Sequence, residues 1–362
     1  MKIKLIQHIN SPHVDEMINF MVNENIDFET WFAIENPSID TNTYNSNFYS
    51  NTLNISFIKY IFSKRNDLII ITGWMNINMI LLILMFFLTN KLFFYWTDRP
   101  INIKNNQFRK LKRYTSETIL KLSNAKILCV GNSAIDYFEN LKFKNNRLYN
   151  FPILTMPATN FIDEFAKNSW KESHLGIKKN TFLISSGSRL EYEKGFDILI
   201  EAISKLNNDL KKNLKVIIIG EGKESNNLKL LATNLGVNDN FIFLGWQKIN
   251  YFKTIISHSN LFVHPSRYDA YGASIYPLAL GVPVIGSLNS GVIQERVKNN
   301  FNGLCYEKDD PIELSLKIKE LMLNKNKLRK LSLNALKDSK HHHPIKNLKT
   351  LKFLYNEFLF KG

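Results

Sequence analysis

Two cations five residues apart, Arg189 and Lys194, lie in the run Ser186-Gly187-Ser188-Arg189-Leu190-Glu191-Tyr192-Glu193-Lys194-Gly195, directly after an apolar strand. From one loop their side chains can converge on a single anion. A guanidinium holds two phosphate oxygens at once, while an ammonium acts as a point charge. Further on, Pro265-Ser266-Arg267-Tyr268-Asp269-Ala270-Tyr271-Gly272 leads to Gly281-Val282-Pro283-Val284-Ile285 and then to Ser290-Gly291. Each run reads as a strand end, a turn and a helix start. In an α/β sheet such points open into a crevice where helix N–H groups attract phosphate. The helix expected from Gly272 would offer backbone around Gly272, Ala273 and Ser274, so this half of the chain is expected to hold an anionic ligand. No Asp-x-Asp pair occurs, and a site without metal, using cationic side chains and helix dipoles, is the simpler expectation.

The elements that must position these residues follow from the apolar pattern. In the second half, strands are expected at Phe182 to Ser185, Lys215 to Ile219, Phe241 to Leu244, Leu261 to His264 and Val284 to Ile285. Helices are expected at Phe196 to Leu206, Ser225 to Leu235, Tyr251 to Ser257 and Gly272 to Leu280. Gly281 stands where a left-handed helix stop belongs, with Pro283 as a breaker. The first half offers strands at Ile3 to Ile6, Leu68 to Ile71, Leu92 to Trp96 and Ile127 to Val130. Alternation of this kind indicates parallel sheets covered by helices. Asn150 to Pro157, framed by prolines, reads as the interdomain linker.

At 362 residues and 44% hydrophobic, the chain suits two globular domains. Cys129 and Cys305, its two cysteines, are expected to be reduced core residues in a reducing cytosol. The net charge of +15 attracts anionic partners, although Lys and Asn usage throughout the chain also accounts for it. No nucleic-acid motif or basic-aromatic repeat is present, so nucleic acid is not an expected partner. The stretch Lys104 to Lys126 carries Arg109, Lys110, Lys112 and Arg113 beside Phe108, Leu111, Ile119 and Leu122. It suits either an anionic membrane surface or a packed helix with a solvated charged face. Leu68 to Asn90 is uncharged, but Thr72-Gly73-Trp74-Met75-Asn76 splits it, leaving a strand and a helix of about a dozen residues rather than a membrane span. The opening residues read as a buried strand and not a secretory leader. His341-His342-His343 point different ways on one turn and are expected to be solvated.

These motifs, in this order, resemble the retaining glycosyltransferases of family 4, which have the GT-B architecture of two Rossmann-like doubly wound domains facing a central cleft. The resemblance covers about Thr181 to Glu307, and more weakly Lys126 to Pro152, through Cys129-Val130-Gly131-Asn132-Ser133 and Asn150-Phe151-Pro152. It is nearest to a subgroup whose motif reads Ser-Arg-Tyr-Asp-Gly-Trp-Gly, here Ser266 to Gly272. It implies an N-terminal acceptor-side domain over residues 1–155, completed by a helix at 346–362, and a nucleotide-sugar-binding domain over 156–345.

By resemblance, Arg189 and Lys194 bind the diphosphate and Asp269 contacts donor-sugar hydroxyls; a helix cap is the competing reading of Asp269, which the completeness of the surrounding motif outweighs. Gly187, Tyr271 to Ser274, Ser290 and Gly291 would line the donor. Trp246 and Gln247 stand where the family binds the base. The family's second acid is replaced by Pro277, which is expected to kink its helix and cannot hold a ribose; Tyr276 or Glu295 are the available substitutes. On the acceptor side stand His13, Gly73, Trp74 and Asp98, although the first loop, from His8 to His13, lacks the family's glycine pair.

The implied reaction moves a sugar from a nucleotide-diphosphate donor, a co-substrate and not a cofactor, to a glycan or lipid-linked acceptor. The setting would be bacterial surface polysaccharide synthesis, in the cytoplasm or on the inner face of the cytoplasmic membrane. A non-catalytic scaffold of the same fold is the alternative, and an epimerase or hydrolase a weaker third.

Overall fold

The computed structural model describes residues 1–9, 12–34, 45–48, 55–63, 67–72, 77–100, 107–269, 275–307 and 309–361. The chain forms two compact units, Met1–Leu154 together with Pro344–Gly362, and Thr155–His343.

The first unit holds a seven-stranded sheet: β1 (Lys2–Ile9), β2 (Asp27–Ile34), β3 (Asn45–Phe48), β4 (Leu68–Thr72), β5 (Phe94–Thr97), β6 (Lys126–Cys129) and β7 (Leu148–Asn150). All neighbours run parallel, in the order β3-β2-β1-β4-β5-β6-β7. A parallel sheet is covered on both faces, which is why β4 reads Leu-Ile-Ile-Ile with every one of these residues buried. β2 escaped the sequence reading because polar residues interrupt it. Glu29 is nevertheless buried, since Lys2 Nζ lies 3.2 Å away and Tyr60 Oη and Trp31 Nε1 donate to its oxygens at 2.6 and 3.1 Å. Lys4, fully buried on β1, pairs with Asp67 at 3.0 Å and lies 3.9 Å from the centre of the Tyr60 ring.

The uncharged helix Ile77–Leu88 packs through Met79, Leu82, Ile83 and Phe86, with Phe86 stacked on Phe93 at 5.0 Å. Among the described residues no helix is long and apolar enough to cross a membrane. The basic helix Gln107–Leu122 turns Ser116, Glu117 and Leu120 inward and leaves Leu111, Tyr114 and Leu122 exposed. The helix Ile345–Lys361 returns to this unit. It buries Leu348, Leu351 and Leu354, donates from Asn347 to the Pro152 carbonyl at 2.6 Å, and pairs Glu357 with Lys126 at 2.5 Å.

The second unit holds β8 (Phe182–Gly187), β9 (Leu214–Ile219), β10 (Phe241–Gly245), β11 (Leu261–His264), β12 (Val284–Ser287) and β13 (Gly303–Tyr306). They too are parallel, ordered β10-β9-β8-β11-β12-β13. The order reverses between β8 and β11. Reversals of this kind send the connections after the two strands toward opposite faces of the sheet and bring the two strand ends together as neighbours. Gly281 has φ +71°, the left-handed stop its position demands. Both cysteines are free and buried. The sequence reading passed over β13 and the helices Pro311–Leu323 and Lys325–Ser339. The first of these helices carries a plain start signal: the Asp310 carboxylate accepts from Ile312 and Glu313 N–H at 2.9 and 2.8 Å, with Pro311 beside it.

Candidate active site

Lys194 and Asp269 are 75 positions apart, yet Lys194 Nζ lies 2.7 Å from Asp269 Oδ2, with both side chains 9% exposed. The topology explains the meeting: Lys194 follows β8 and Asp269 follows β11, the neighbours at which the sheet order reverses. After β8, Ser188 N–H donates to the Ile219 carbonyl at 3.1 Å and Leu190 N–H to that of Glu221 at 2.8 Å, fastening the loop to the one after β9. A turn of 3₁₀ helix, Tyr192–Lys194, then ends on Gly195 at φ +66°. A Cβ at Gly195 would stand 2.2 Å from the Pro265 carbonyl oxygen. Only a glycine lets the turn lie against the segment leaving β11.

Arg267 straps the two segments together. Its Nη atoms donate to Asp197 Oδ1 and Oδ2 at 2.8 and 2.6 Å and to the Tyr192 carbonyl at 2.9 Å, and Nε lies 2.7 Å from Asp309. The guanidinium also covers the Tyr192 ring at 4.2 Å. Tyr268 N–H donates to the Glu193 carbonyl at 3.2 Å. Sequence reading gave Arg267 no part beyond motif membership, although an arginine three residues past a strand end, with Asp197 in the first turn of the helix after β8, was the available signal.

A third strand end joins at Ser290. Its backbone bridges to Asp269, and the Asp269 carbonyl accepts from Gly291 N–H at 2.9 Å. His264, the last residue of β11, places Nε2 3.1 Å from Ser290 Oγ and 3.6 Å from Asp269 Oδ2. Burial pushes the imidazole down to about 4, and Lys194 adds to this against the pull of Asp269. His264 is therefore neutral at physiological pH, an unforeseen spacer between Asp269 and Ser290. Burial opposes the Asp269 carboxylate, but Lys194, His264 and Arg189 together outweigh it and hold its pKa below the usual range. Arg189 is exposed on the loop ahead of the turn, so the site has one sheltered cation and one free to swing.

The low histidine value has a stability consequence. Between about pH 6.5 and 4 the unfolded chain takes up a proton at His264 that the folded chain refuses, so stability falls as pH falls across that window. The loss reaches about 3 kcal/mol at the acid end. His264→Gln, which keeps a hydrogen-bonding group without the titration, should flatten this part of the stability curve in urea melts; an unchanged slope would show that His264 is not the group responsible.

The remaining expected residues are placed as follows. Gly187, the last residue of β8, is buried, and a Cβ there would meet the Phe252 ring at 2.5 Å. Trp246 stands 47% exposed after β10, and Gln247 beside it donates to the Leu244 carbonyl at 2.8 Å. Glu295 is partly exposed on the short helix Gly291–Arg296. Tyr276, one of the two expected substitutes, is wholly buried and edge-on to Phe252. Pro277 is buried in the helix Ile275–Ala279. Tyr271, Gly272, Ala273 and Ser274 lie outside the described residues, as do Gly73 and Trp74 and the side chain of His13. Asp98 belongs to the first unit, one residue past β5, and is partly exposed. Among the described residues no three His, Cys, Asp or Glu side chains are grouped to hold a metal ion.

Residues 167–338 match the sequence profile of the glycosyl transferases group 1 family. The matched residues lie within the second unit and include every residue of the Lys194–Asp269 site. Over 195 residues the chain is 27% identical to the UDP-Gal:alpha-D-GlcNAc-diphosphoundecaprenol alpha-1,3-galactosyltransferase of Escherichia coli, covering 51% of this chain and 48% of that protein. Over 148 residues it is 30% identical to the lipopolysaccharide core biosynthesis glycosyltransferase LpsE of Rhizobium meliloti, covering 41% of each. The match thus spans half or less of these curated relatives.

Likeness of fold extends further than the matched residues. Anabaena Alr3699/HepE, solved in complex with UDP, superposes with a TM-score of 0.77 at 16% identity, over 98% of this chain and 100% of that one. Sucrose-phosphate synthase from Thermosynechococcus elongatus gives 0.80 at 14% identity over the whole of both chains. The fold is GT-B.

Proposed function

We propose that the chain is a retaining glycosyltransferase of family 4, moving a sugar from a nucleoside diphosphate sugar to a hydroxyl of a glycan or lipid-linked acceptor. Bacterial surface polysaccharide synthesis is the proposed setting. The observation that carries this reading is the Lys194–Asp269 pair at the point where the second sheet reverses order, with Arg189 on the adjoining loop. An ammonium has three N–H groups, and pairing with Asp269 leaves two for phosphate oxygens. Arg189 and Lys194 stabilise the charge that grows on the departing diphosphate. Asp269 accepts from sugar hydroxyls and favours positive charge at the anomeric carbon. As the bond from that carbon to the phosphate oxygen breaks, the acceptor oxygen bonds to it on the same face and passes its proton to the leaving phosphate. The site needs no metal for this, since two cations already face the anion. The UDP complex of the Anabaena protein and the UDP-Gal named for the Escherichia coli relative support uracil as the base.

The test is a melting-temperature screen against UDP, GDP, ADP and CMP. A ligand bound at 100 times its dissociation constant adds about 2.7 kcal/mol. UDP should raise the melting temperature of the native protein and not of Arg189→Ala. Silence toward all four would favour the scaffold reading, which Pro277 supports because no side-chain oxygen stands in the position of the second acid.

We further propose that the first unit rests on an anionic membrane surface. Along Gln107–Leu122, Leu111, Tyr114 and Leu122 are exposed beside Lys110 and Lys121, an apolar and basic face of the kind that lies in a lipid interface. Each lysine near such a surface contributes about 1 kcal/mol. Lys110→Glu/Lys121→Glu should therefore reduce flotation with phosphatidylglycerol vesicles by about tenfold or more and leave the UDP shift intact. Equal flotation of variant and native chain would remove this helix from the interface.

A further inference from the structure

A cavity of about 820 Å³ opens in the second unit at the ends of β8 and β11 opposite to the Lys194–Asp269 site. Phe182, which begins β8, and Asn260, just before β11, both line it. Along β8 the separation from the active end is about 17 Å. Its volume falls within the range of small-molecule pockets. Phe161, Phe182, Leu210, Met322 and Leu328 provide an apolar body. Phe165 stands at the wall 83% exposed, a large ring held in water by the first turn of the helix Glu164–Leu175.

The polar lining is unequally committed. All three acids have partners. Asp163 caps its helix by accepting from Ala166 N–H at 2.8 Å. Glu164 accepts from Asn260 Nδ2 at 3.1 and 3.2 Å and lies 3.8 Å from Lys171, while Asp209 pairs with Lys212 at 3.6 Å. The cations are less occupied. Lys167, 5% exposed in the cavity lining, spends one N–H on the Ser259 carbonyl at 2.8 Å. Lys325 and Arg329, exposed, have no ion-pair partner among the described residues. Burial lowers the Lys167 amine to about 8, the response of an ammonium short of counter-charge, with Glu164 only partly offsetting it.

We propose that this cavity is a second ligand site, distinct from the donor site, for a small amphiphilic anion. An aromatic or short acyl body would lie against Phe182, Leu210 and Phe165, and a carboxylate, phosphate or sulfonate would meet Lys325, Arg329 and Lys167. Nothing in the proposed transfer reaction uses these residues, so the inference stands or falls apart from that reading.

The probe is 8-anilinonaphthalene-1-sulfonate, whose fused rings and single anionic group match that description, titrated into the full chain and followed by fluorescence. One saturable site is expected, unaffected by excess UDP. Lys325→Glu/Arg329→Glu should weaken it by about tenfold or more. The charge-matched Lys229→Glu/Lys337→Glu, exposed and outside the lining, should not. Both pairs are on the surface, so melting curves should match the native protein. Displacement by UDP, equal binding to both variants, or absence of a saturable site would each overturn the proposal.

Discussion

Lys194→Ala should lower turnover by about a hundredfold to a thousandfold, the loss seen when one preorganised donor to a developing oxyanion is removed. It should also destabilise the fold, because Asp269 would keep its burial and lose the cation 2.7 Å away. Breaking a buried pair from one side costs about 3 kcal/mol or more. Lys194→Ala/Asp269→Asn removes the stranded charge and should regain most of that stability without regaining turnover. Arg189→Ala separates the two effects from the other direction: the side chain is exposed, so turnover should fall while the melting temperature stays put. Sugar transfer from a radiolabelled nucleotide donor reads the first quantity and urea unfolding the second. Native-like turnover in Lys194→Ala would end the assignment of Lys194 to the leaving group.

Gly195→Ala carries the second large effect. The residue sits at φ +66°, and its new methyl would stand 2.2 Å from the Pro265 carbonyl oxygen and 3.0 Å from the carbon. Neither contact can be relieved by turning a side chain, since both atoms are backbone. Left-handed strain and the clash together should cost about 3 kcal/mol or more, and the turn can escape only by moving away from the segment leaving β11. That movement carries Lys194 off Asp269. The variant should therefore lose stability and the UDP-dependent rise in melting temperature together. A Gly195→Ala protein with native stability and an intact shift would show that the turn is not seated by this contact.

How much of this was legible in the chain depends on where each interaction draws its partner. The cations on the loop after β8 and the Asp269 segment could be read from local punctuation, because strand ends, glycines and helix starts are local events. Most of the second sheet was legible for the same reason: Phe182–Ile184, Val216–Ile219 and Leu261–Val263 are uninterrupted apolar runs. What the residues could not reveal is that Lys194 faces Asp269, which requires β8 and β11 to be neighbours across 75 positions, or that His264 lies between Asp269 and Ser290. β2 was hidden by chemistry of the same long-range kind. Glu29 reads as a solvent residue until Lys2 and Tyr60 are brought to it from two other segments to join Trp31 of its own strand. Arg267 illustrates the converse: its surroundings in sequence look like a binding motif, while its five donors are largely spent on Asp197, Asp309 and the Tyr192 carbonyl.

The return of the helix Ile345–Lys361 to the first unit bears on the order in which the protein can be made. The ribosome delivers residues 1–154, then the whole of the second unit, and only afterward the segment that seals the first. Until then Lys126 lacks Glu357, and the Pro152 carbonyl lacks Asn347. Domains tend to fold as they emerge, so the continuous second unit can reach its native state on the nascent chain while the first waits, its apolar flank uncovered, for translation to pass residue 361. The first unit, although synthesised first, is the one whose folding finishes last.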